Sequence, residues 1–238
     1  MGPDLRILEG FLRARRPLLA AEVATLTGLP RSSVFRVLKA LRTAGFLFQD
    51  TQTRHYVLGP RMLQLGALAQ EQLARDEVVT PPLLELGQTT GETVTYSVVD
   101  VPNRLCTFVL DGPSDLRHVA QAGARYPLHL GAAGKVILAH LPEEVAQTIT
   151  RGQGLNSLQL DELGRQLAEI RERGFAATQG ERVSGTSALA APVFLSGKIA
   201  GSVAVAGPHD RMTGVIAQQS GLVIAAARAL ERRLAGAS

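Results

Sequence analysis

The 238-residue chain contains one cysteine, Cys106, no tryptophan and few aromatic residues (4%). A single cysteine excludes a disulfide framework and a zinc site built from several cysteines. No run of about 18 or more apolar residues is present, so we expect no transmembrane helix. The N-terminus lacks a basic segment followed by a long apolar one, so we expect no secretory signal and a cytoplasmic protein.

Hydrophobic residues make up 45% of the chain, which is too much for a disordered protein. The charges are divided unevenly. Residues 1–66 carry ten basic and four acidic side chains, whereas the rest carries 15 basic and 17 acidic ones. A basic module joined to a nearly neutral one indicates a polyanionic partner for the first part only, although a solvated charged face would have the same composition.

Helical periodicity dominates the first 45 residues. Apolar spacing predicts helices over about 4–14, about 21–27 and about 31–44. Gly28 supplies a left-handed end to the second helix, and Pro30 can open the third. Two helices joined by a short glycine turn, the second rich in Arg, Ser and Lys at its start, are typical of a helix-turn-helix.

Two short strands, 46–48 and 56–58, surround a polar tip and predict a wing after the third helix. Arg54 in this tip is placed to contact backbone phosphate or the minor groove. Phe35 is more ambiguous, because a core position is expected before a thymine-methyl contact. The predicted DNA-binding residues are Arg31, Ser32, Ser33, Phe35, Arg36, Lys39 and Arg54, and the predicted partner is a double-stranded DNA operator.

Four segments of the chain resemble the IclR family of bacterial transcription regulators. They are residues 26–38 (LTGLPRSSVFRVL), 56–61 (YVLGPR), 128–135 (LHLGAAGK) and 190–193 (AAPV). The resemblance implies a winged helix-turn-helix, a linker helix and a GAF-like effector-binding domain, assembled as a homodimer or tetramer. It leaves open whether the output is repression or activation.

We accordingly divide the chain into a DNA-binding domain (1–59), a linker helix (60–75) and an effector-binding and oligomerisation domain (76–238). The linker carries an apolar stripe, which packs either on its own domains or on a second chain. In the last domain, strands are followed by helices, more strands and a helix, which predicts an α+β fold with helices on one side of an antiparallel sheet. Residues 117–121 are a candidate third strand.

Catalytic motifs are missing. Residues 131–135 (GAAGK) fail as a phosphate loop, because position 129 is His129 and position 136 is Val136. The histidines have no ligand spacing, and Cys106 in a strand is expected to be a buried, inert thiol. We therefore predict no enzymatic activity, no cofactor and no metal.

Small residues at 131–134 open a predicted helix and are expected to leave backbone N–H groups uncovered. Such groups at a helix N-terminus attract a carboxylate, which makes Gly131, Ala132 and Ala133 candidate effector ligands. The alternative explanation is close packing of the helix on the sheet.

The resemblance implies further effector contacts from late strands, at Thr178, Ala188, Ala204 and Ala206. Relatives that sense small polar acids often carry Asp, Cys or Ser there, and this chain departs from that pattern at all four positions. Glu181 does match an acidic family position. Methyl-lined space favours a carboxylate with an apolar or aromatic body over a two- or three-carbon keto acid.

Three functions stay open at this point. The first is a ligand-responsive transcription regulator. The second is an enzyme or sensor domain fused to a nucleic-acid module, and the third is a DNA-binding oligomer whose second domain has no ligand.

Overall fold

A computed structural model describes residues 2–74, 77–212 and 216–236. The chain divides into two compact units, residues 1–71 (unit 1) and 72–238 (unit 2). The boundary falls inside the segment that the sequence predicts as a linker helix.

Unit 1 begins with three helices and a two-stranded antiparallel hairpin. In chain order these are α1 (Pro3–Ala14), α2 (Ala20–Thr27), α3 (Arg31–Thr43), β1 (Leu47–Gln49) and β2 (Tyr56–Leu58). One hydrophobic cluster joins all five elements, because each contributes at least one buried apolar side chain. The buried residues are Ile7, Phe11, Leu18, Val23, Val34, Val37, Leu38, Leu47 and Tyr56.

The turn between α2 and α3 follows the predicted chemistry. Gly28 ends α2 with φ at +67°, a conformation that glycine adopts without a steric penalty. Pro30 is the N-cap residue and α3 begins one residue later, at Arg31. The three helices and the wing therefore have the predicted order, with boundaries within two residues of the expected ones.

Helix α4 (Pro60–Ala74) follows the hairpin. Its apolar stripe is exposed, with Leu63 76% accessible and Leu65 and Leu68 about half accessible. The predicted end of this helix at residue 75 lies outside the described residues.

Unit 2 is built on a six-stranded antiparallel sheet in the order β5-β4-β3-β8-β7-β6. The strands are β3 (Thr93–Asp100), β4 (Asn103–Leu110), β5 (Arg125–Pro127), β6 (Ala176–Gln179), β7 (Thr186–Leu195) and β8 (Lys198–Pro208). The helices are α5 (Thr80–Thr90), α6 (Ala132–His140), α7 (Glu143–Arg151), α8 (Ser157–Arg173), α9 (His209–Met212) and α10 (Ile216–Gly236).

Helices cover both faces of this sheet. Leu189 and Val205 belong to the hydrophobic cluster formed with α5 and α10. Their neighbours Ala190 and Ala204 belong to a second cluster, formed with α6 and α8. Because successive side chains of a strand point to opposite faces, the two clusters lie on opposite sides of the sheet.

The α+β architecture predicted from the sequence is confirmed, with two corrections. The expectation of helices on one side was wrong, because β7 and β8 are apolar at both alternating sets of positions and so bury both faces. Residues 117–121 are not a strand. The third strand is β5, which pairs with the start of β4, while the Thr93 hydroxyl holds the 117–121 segment by donating to the His118 carbonyl at 2.6 Å.

Candidate functional site

The exposed face of α3 is cationic. Arg31, Ser32, Arg36 and Lys39 are exposed and Ser33 is half-buried, whereas Val34, Val37 and Leu38 face the core. In the described part of the chain no acidic side chain pairs with Arg31, Arg36 or Lys39. Three uncompensated cations on one helix face, beside a helix N-terminus, form a surface suited to phosphate and base edges.

Phe35 lies on this same exposed face. Its side chain is 57% accessible, so the expectation that it packs in the core was wrong. The reason is helical geometry: Val34, Val37 and Leu38 already fill the buried stripe, and position 35 falls about 100° away from position 34. An exposed aromatic ring among cations is available for a contact outside the unit.

The wing is held by hydrogen bonds at its tip. The Asp50 carboxylate accepts from the backbone N–H groups of Gln52 and Thr53 at 2.8 and 2.7 Å, which lowers its pKa below the ordinary value. Arg54 then adopts a left-handed backbone, with φ at +61°, and its side chain is exposed. Gln49 donates to the Arg54 carbonyl at 3.1 Å, so the loop that carries this arginine is fixed to β1.

Unit 2 encloses a cavity of about 50 Å³ between the sheet and the start of α6, here called the sheet cavity. All seven residues predicted as effector ligands line it: Gly131, Ala132, Ala133, Thr178, Ala188, Ala204 and Ala206. Thr178 pairs with Ala188 and Ala188 with Ala206 across three adjacent strands, which explains how positions far apart in sequence meet.

The N-terminus of α6 is already capped from within the chain. Gly131, with φ at +74°, donates its N–H to Glu181 Oε2 at 3.0 Å, and the Ala132 N–H donates to Thr178 Oγ1 at 3.0 Å. The expectation that these two N–H groups are uncovered was therefore wrong. The sequence places Glu181 and Thr178 46–50 residues away, so only the fold reveals the contact.

Lys135, one turn into α6, contacts the same Glu181 carboxylate that caps the helix. It is buried, forms an ion pair with Glu181, and donates to Gln166 Oε1 at 2.7 Å. Close packing also constrains the helix, because a Cβ on Gly134 would lie 2.7 Å from the Leu128 carbonyl oxygen. Gly134 thus satisfies a packing requirement, whereas Gly131, Ala132 and Ala133 line the cavity.

The lining of the cavity also contains two cations, Arg104 and Arg182, which the sequence did not predict. Arg104 on β4 is 6% accessible and donates from Nη1 to Ser97 Oγ at 2.7 Å, while its Nε has no hydrogen-bond partner among the residues that the structure describes. Burial, and to a smaller extent the nearby Arg182 charge, lowers the Arg104 pKa to about 10. At neutral pH the side chain stays charged.

Arg182, from the β6–β7 loop, lines the same cavity. Its Nη2 is 2.6 Å from Nε2 of His118, and its Cζ is 4.6 Å from the centre of the Tyr126 ring. The Arg104 Cζ is 4.7 Å from the centre of that ring. Burial, together with the charges of Arg182 and Arg104, lowers the His118 pKa to about 4, so His118 is neutral near pH 7.

The sequence contained one indication that Arg104 faces inward. Buried positions alternate along β4 at Arg104, Cys106 and Phe108, so the arginine occupies the inward-facing set of a strand. Arg182 gave no such signal, because it lies in a loop without periodicity. Cys106 is buried as expected, and burial raises the pKa of its thiol, which keeps it protonated and unreactive.

The described residues contain no group of three or more His, Cys, Asp or Glu side chains arranged to hold a metal ion. None of their helices is both long enough and apolar enough to cross a bilayer.

A winged helix-turn-helix with an unpaired cationic helix defines a DNA-binding protein, and the attached α+β unit with its own cavity is typical of a transcription regulator. The chain belongs to the IclR family. Residues 5–51 match the model of the IclR helix-turn-helix domain, and residues 68–232 match that of the C-terminal domain of the bacterial transcriptional regulator IclR. It is an IclR-type DNA-binding transcriptional regulator.

The chain is similar to several known proteins along most of its length. The HTH-type transcriptional repressor AllR of Escherichia coli K12 is 28% identical over 216 residues, which cover 88% of this chain and 80% of AllR. A putative IclR regulator from Silicibacter sp. TM1040 superposes with a TM-score of 0.79 at 22% identity, covering 98% of this chain and 96% of the other.

An IclR homologue from Microbacterium hydrocarbonoxydans, solved in complex with 4-hydroxybenzoate, has a TM-score of 0.73 at 21% identity. The superposition covers 99% of this chain and 98% of that one. At these identities the two solved structures establish a shared fold.

Proposed function

We propose that the operator affinity of this regulator is modulated by a small carboxylate with an apolar or aromatic body, bound in the sheet cavity. The observation that carries the proposal is the composition of the cavity wall. Ala132, Ala188, Ala204 and Ala206 contribute methyl groups to the lining, and Arg104 and Arg182 contribute guanidinium groups. Such a wall matches a ligand with one apolar end and one anionic end.

The homologue bound to 4-hydroxybenzoate supports this ligand class, since that molecule is an aromatic carboxylate. Ala188, Ala204 and Ala206 support it too, because relatives that sense small polar acids often carry a polar residue at these positions. Burying the apolar body of a ligand contributes about 25 cal/mol per Å², which compensates for those missing hydrogen bonds.

Cavity size provides the link to regulation. About 50 Å³ is well below the roughly 150 Å³ of an apolar cavity that binds benzene. An aromatic effector therefore requires an expanded conformation of unit 2. A ligand that binds the expanded conformation in preference to the compact one shifts the population between them, and only this difference in affinity can change DNA binding.

For the DNA side, we propose that α3 enters the major groove. Arg31, Ser32, Ser33, Phe35, Arg36 and Lys39 would contact base edges and phosphates, and Arg54 would contact the backbone or minor groove. We further propose a cytoplasmic homodimer or tetramer without enzymatic activity, in which α4 pairs with a second chain. Two modules on a palindromic site would double the number of contacts.

The second candidate is a DNA-binding oligomer whose unit 2 has no ligand. The small cavity volume and the internal capping of α6 by Glu181 favour it. A filled and self-satisfied pocket would stabilise unit 2 without responding to any metabolite.

A DNA-binding titration separates the two candidates. The full chain is mixed with labelled promoter fragments and scrambled DNA at moderate ionic strength, and fluorescence anisotropy is recorded with and without a library of aliphatic and aromatic carboxylates. We expect a specific fragment whose affinity changes at least fivefold with one aromatic or apolar acid. No response to any acid would favour the ligand-free oligomer, and a response to glyoxylate or pyruvate alone would contradict the proposed ligand class.

A further inference from the structure

We propose that Arg104, supported by Arg182, binds the carboxylate of the effector, and that the N-terminus of α6 does not. The inference rests on the proposed effector-controlled function and specifies which groups recognise the ligand. The charged end of the ligand is thereby assigned to the cavity-lining arginines of β4 and of the β6–β7 loop.

Arg104 is a buried cation that lacks a counter-ion among the described residues. It is 94% buried and lines the sheet cavity, and its Nε has no hydrogen-bond partner in the described part of the chain. Its Nη1 donates to the neutral Ser97 hydroxyl at 2.7 Å. A buried cation without a counter-ion costs free energy, and an incoming carboxylate recovers that cost through charge-assisted hydrogen bonds.

The two arginines of the cavity also lack an anionic partner among the described residues. In the described part of the chain neither Arg104 nor Arg182 forms an ion pair. Glu181 also lines the cavity, but its carboxylate is taken by Lys135 and by the Gly131 N–H. The cavity therefore carries two guanidinium groups with no anionic side chain left for them.

Tyr126 fixes the geometry of this pair. The guanidinium carbons of Arg104 and Arg182 lie 4.7 and 4.6 Å from the centre of its ring, so the cations are held close to each other despite their repulsion. A planar guanidinium presents two parallel N–H groups to a carboxylate, which a lysine ammonium cannot reproduce. The arrangement suits a planar carboxylate and discriminates against its neutral amide.

The N-terminus of α6 offers less to the same ligand. Its first two N–H groups already donate to Glu181 and Thr178 at 3.0 Å. A ligand bound there would have to displace a carboxylate that is also paired with buried Lys135. Replacing one carboxylate by another at this position brings little net gain.

The test uses the full chain and named probes. Thermal shift and isothermal titration are run with acetate, benzoate and 4-hydroxybenzoate, each at constant ionic strength, and with benzamide as the uncharged counterpart of benzoate. We expect at least one carboxylate to bind and stabilise the wild type, and benzamide to bind at least tenfold more weakly than benzoate. Failure of all three carboxylates to bind would overturn the inference, as would equal binding of benzamide.

Variants then locate the carboxylate. Arg104→Gln and Arg104→Lys are expected to weaken binding of the carboxylate at least tenfold, and Arg182→Gln at least threefold. Arg165→Gln, at an exposed position on α8, is the matched control and is expected to change nothing. If Arg104→Gln does not fold, Arg104→Lys and Arg182→Gln carry the test. Unchanged affinity in the folded Arg104 and Arg182 variants would overturn the inference.

Glu181→Ala distinguishes binding of the carboxylate at the α6 N-terminus from binding at Arg104. If the carboxylate binds at α6, removing Glu181 frees the Gly131 N–H and tightens binding, which would contradict the inference. If it binds at Arg104, affinity stays within about threefold of the wild type. Binding that depends on Arg104 but leaves DNA affinity unchanged would support the site and refute the proposed regulation, so the two failures are distinguishable.

Discussion

Glu181 accepts a hydrogen bond from the Gly131 backbone N–H at 3.0 Å and forms an ion pair with Lys135 one turn further along α6. One carboxylate thus neutralises both the positive end of the helix and a buried ammonium group. The side chain of Lys135 is 7% accessible, so it has little access to water in place of this partner. The stability of unit 2 should therefore depend on Glu181.

We expect Glu181→Ala to lower the free energy of unfolding of the full chain by about 1–3 kcal/mol, since it leaves a buried charge and a helix N–H unsatisfied. Urea unfolding at pH 7 measures this. Glu169→Ala, which breaks the exposed pair with Arg173 on α8, serves as the control and should cost no more than about 0.5 kcal/mol. Similar losses of unfolding free energy in the two variants would show that the buried Lys135–Glu181 pair contributes no more than an exposed one.

Arg36 and Arg54 should differ in what they contribute to DNA binding. A base contact by Arg36 contributes about 1–3 kcal/mol of discrimination, so Arg36→Ala is expected to weaken the specific fragment far more than random DNA. Arg54→Ala should weaken both by similar factors, because phosphate contacts carry no sequence information. Anisotropy titrations at two salt concentrations check this, and equal losses on both DNAs for Arg36→Ala would contradict the assignment.

Phe35 and Leu38 lie three residues apart on α3, and we expect Phe35 to contribute to DNA binding and Leu38 to stability. Phe35 is largely exposed, so Phe35→Ala should change the free energy of unfolding by no more than about 0.5 kcal/mol while weakening DNA binding. Leu38 is fully buried, so Leu38→Ala should cost about 2–5 kcal/mol. Urea unfolding and DNA titration of both variants check the pair. A large loss of stability in Phe35→Ala would indicate that the Phe35 side chain packs in the core after all.

The exposed leucines of α4 should matter for assembly. Leu63→Gln combined with Leu68→Gln removes apolar surface from the stripe that we assign to a second chain, and is expected to weaken the dimer at least tenfold. Sedimentation velocity over a range of concentrations measures this, with Gln64→Ala on the same helix as the control. An unchanged sedimentation profile would mean that the stripe does not form the dimer contact.

His118 should make stability depend on pH. Its pKa of about 4 in the folded protein lies below the ordinary value of 6.5, because of burial and the charges of Arg182 and Arg104. The unfolded chain therefore binds more protons between these values, and stability should fall as the pH drops from 6.5 towards 4. His118→Gln keeps an acceptor for Arg182 and should reduce this dependence. Urea midpoints of both proteins at pH 7.5 and 5.5 test it, and identical shifts would refute the role of His118.

Local patterns in the sequence were sufficient to predict the helices and hairpin of unit 1. They also predicted the succession of strands and helices along unit 2, except for its third strand. Apolar spacing, Gly28 and Pro30 determine where α2 and α3 begin and end, because a positive φ and a missing N–H act within one or two residues. The late strands were located for the same reason, and the resemblance to a family directed attention to Thr178, Ala188, Ala204 and Ala206, which the fold brings to one cavity.

Contacts between distant segments were decided only by the tertiary structure. The pairing of Glu181 with Gly131 joins residues 50 positions apart, and Arg104 meets Arg182 through a loop that has no periodicity. The electrostatic state of a buried group depends on which neighbours displace water around it, and no local pattern encodes that. The sequence by itself thus determined most of the helices and strands and the cationic face of α3, because these depend on local spacing. Folding decided which buried charges are paired within the chain, because that depends on contacts between distant residues.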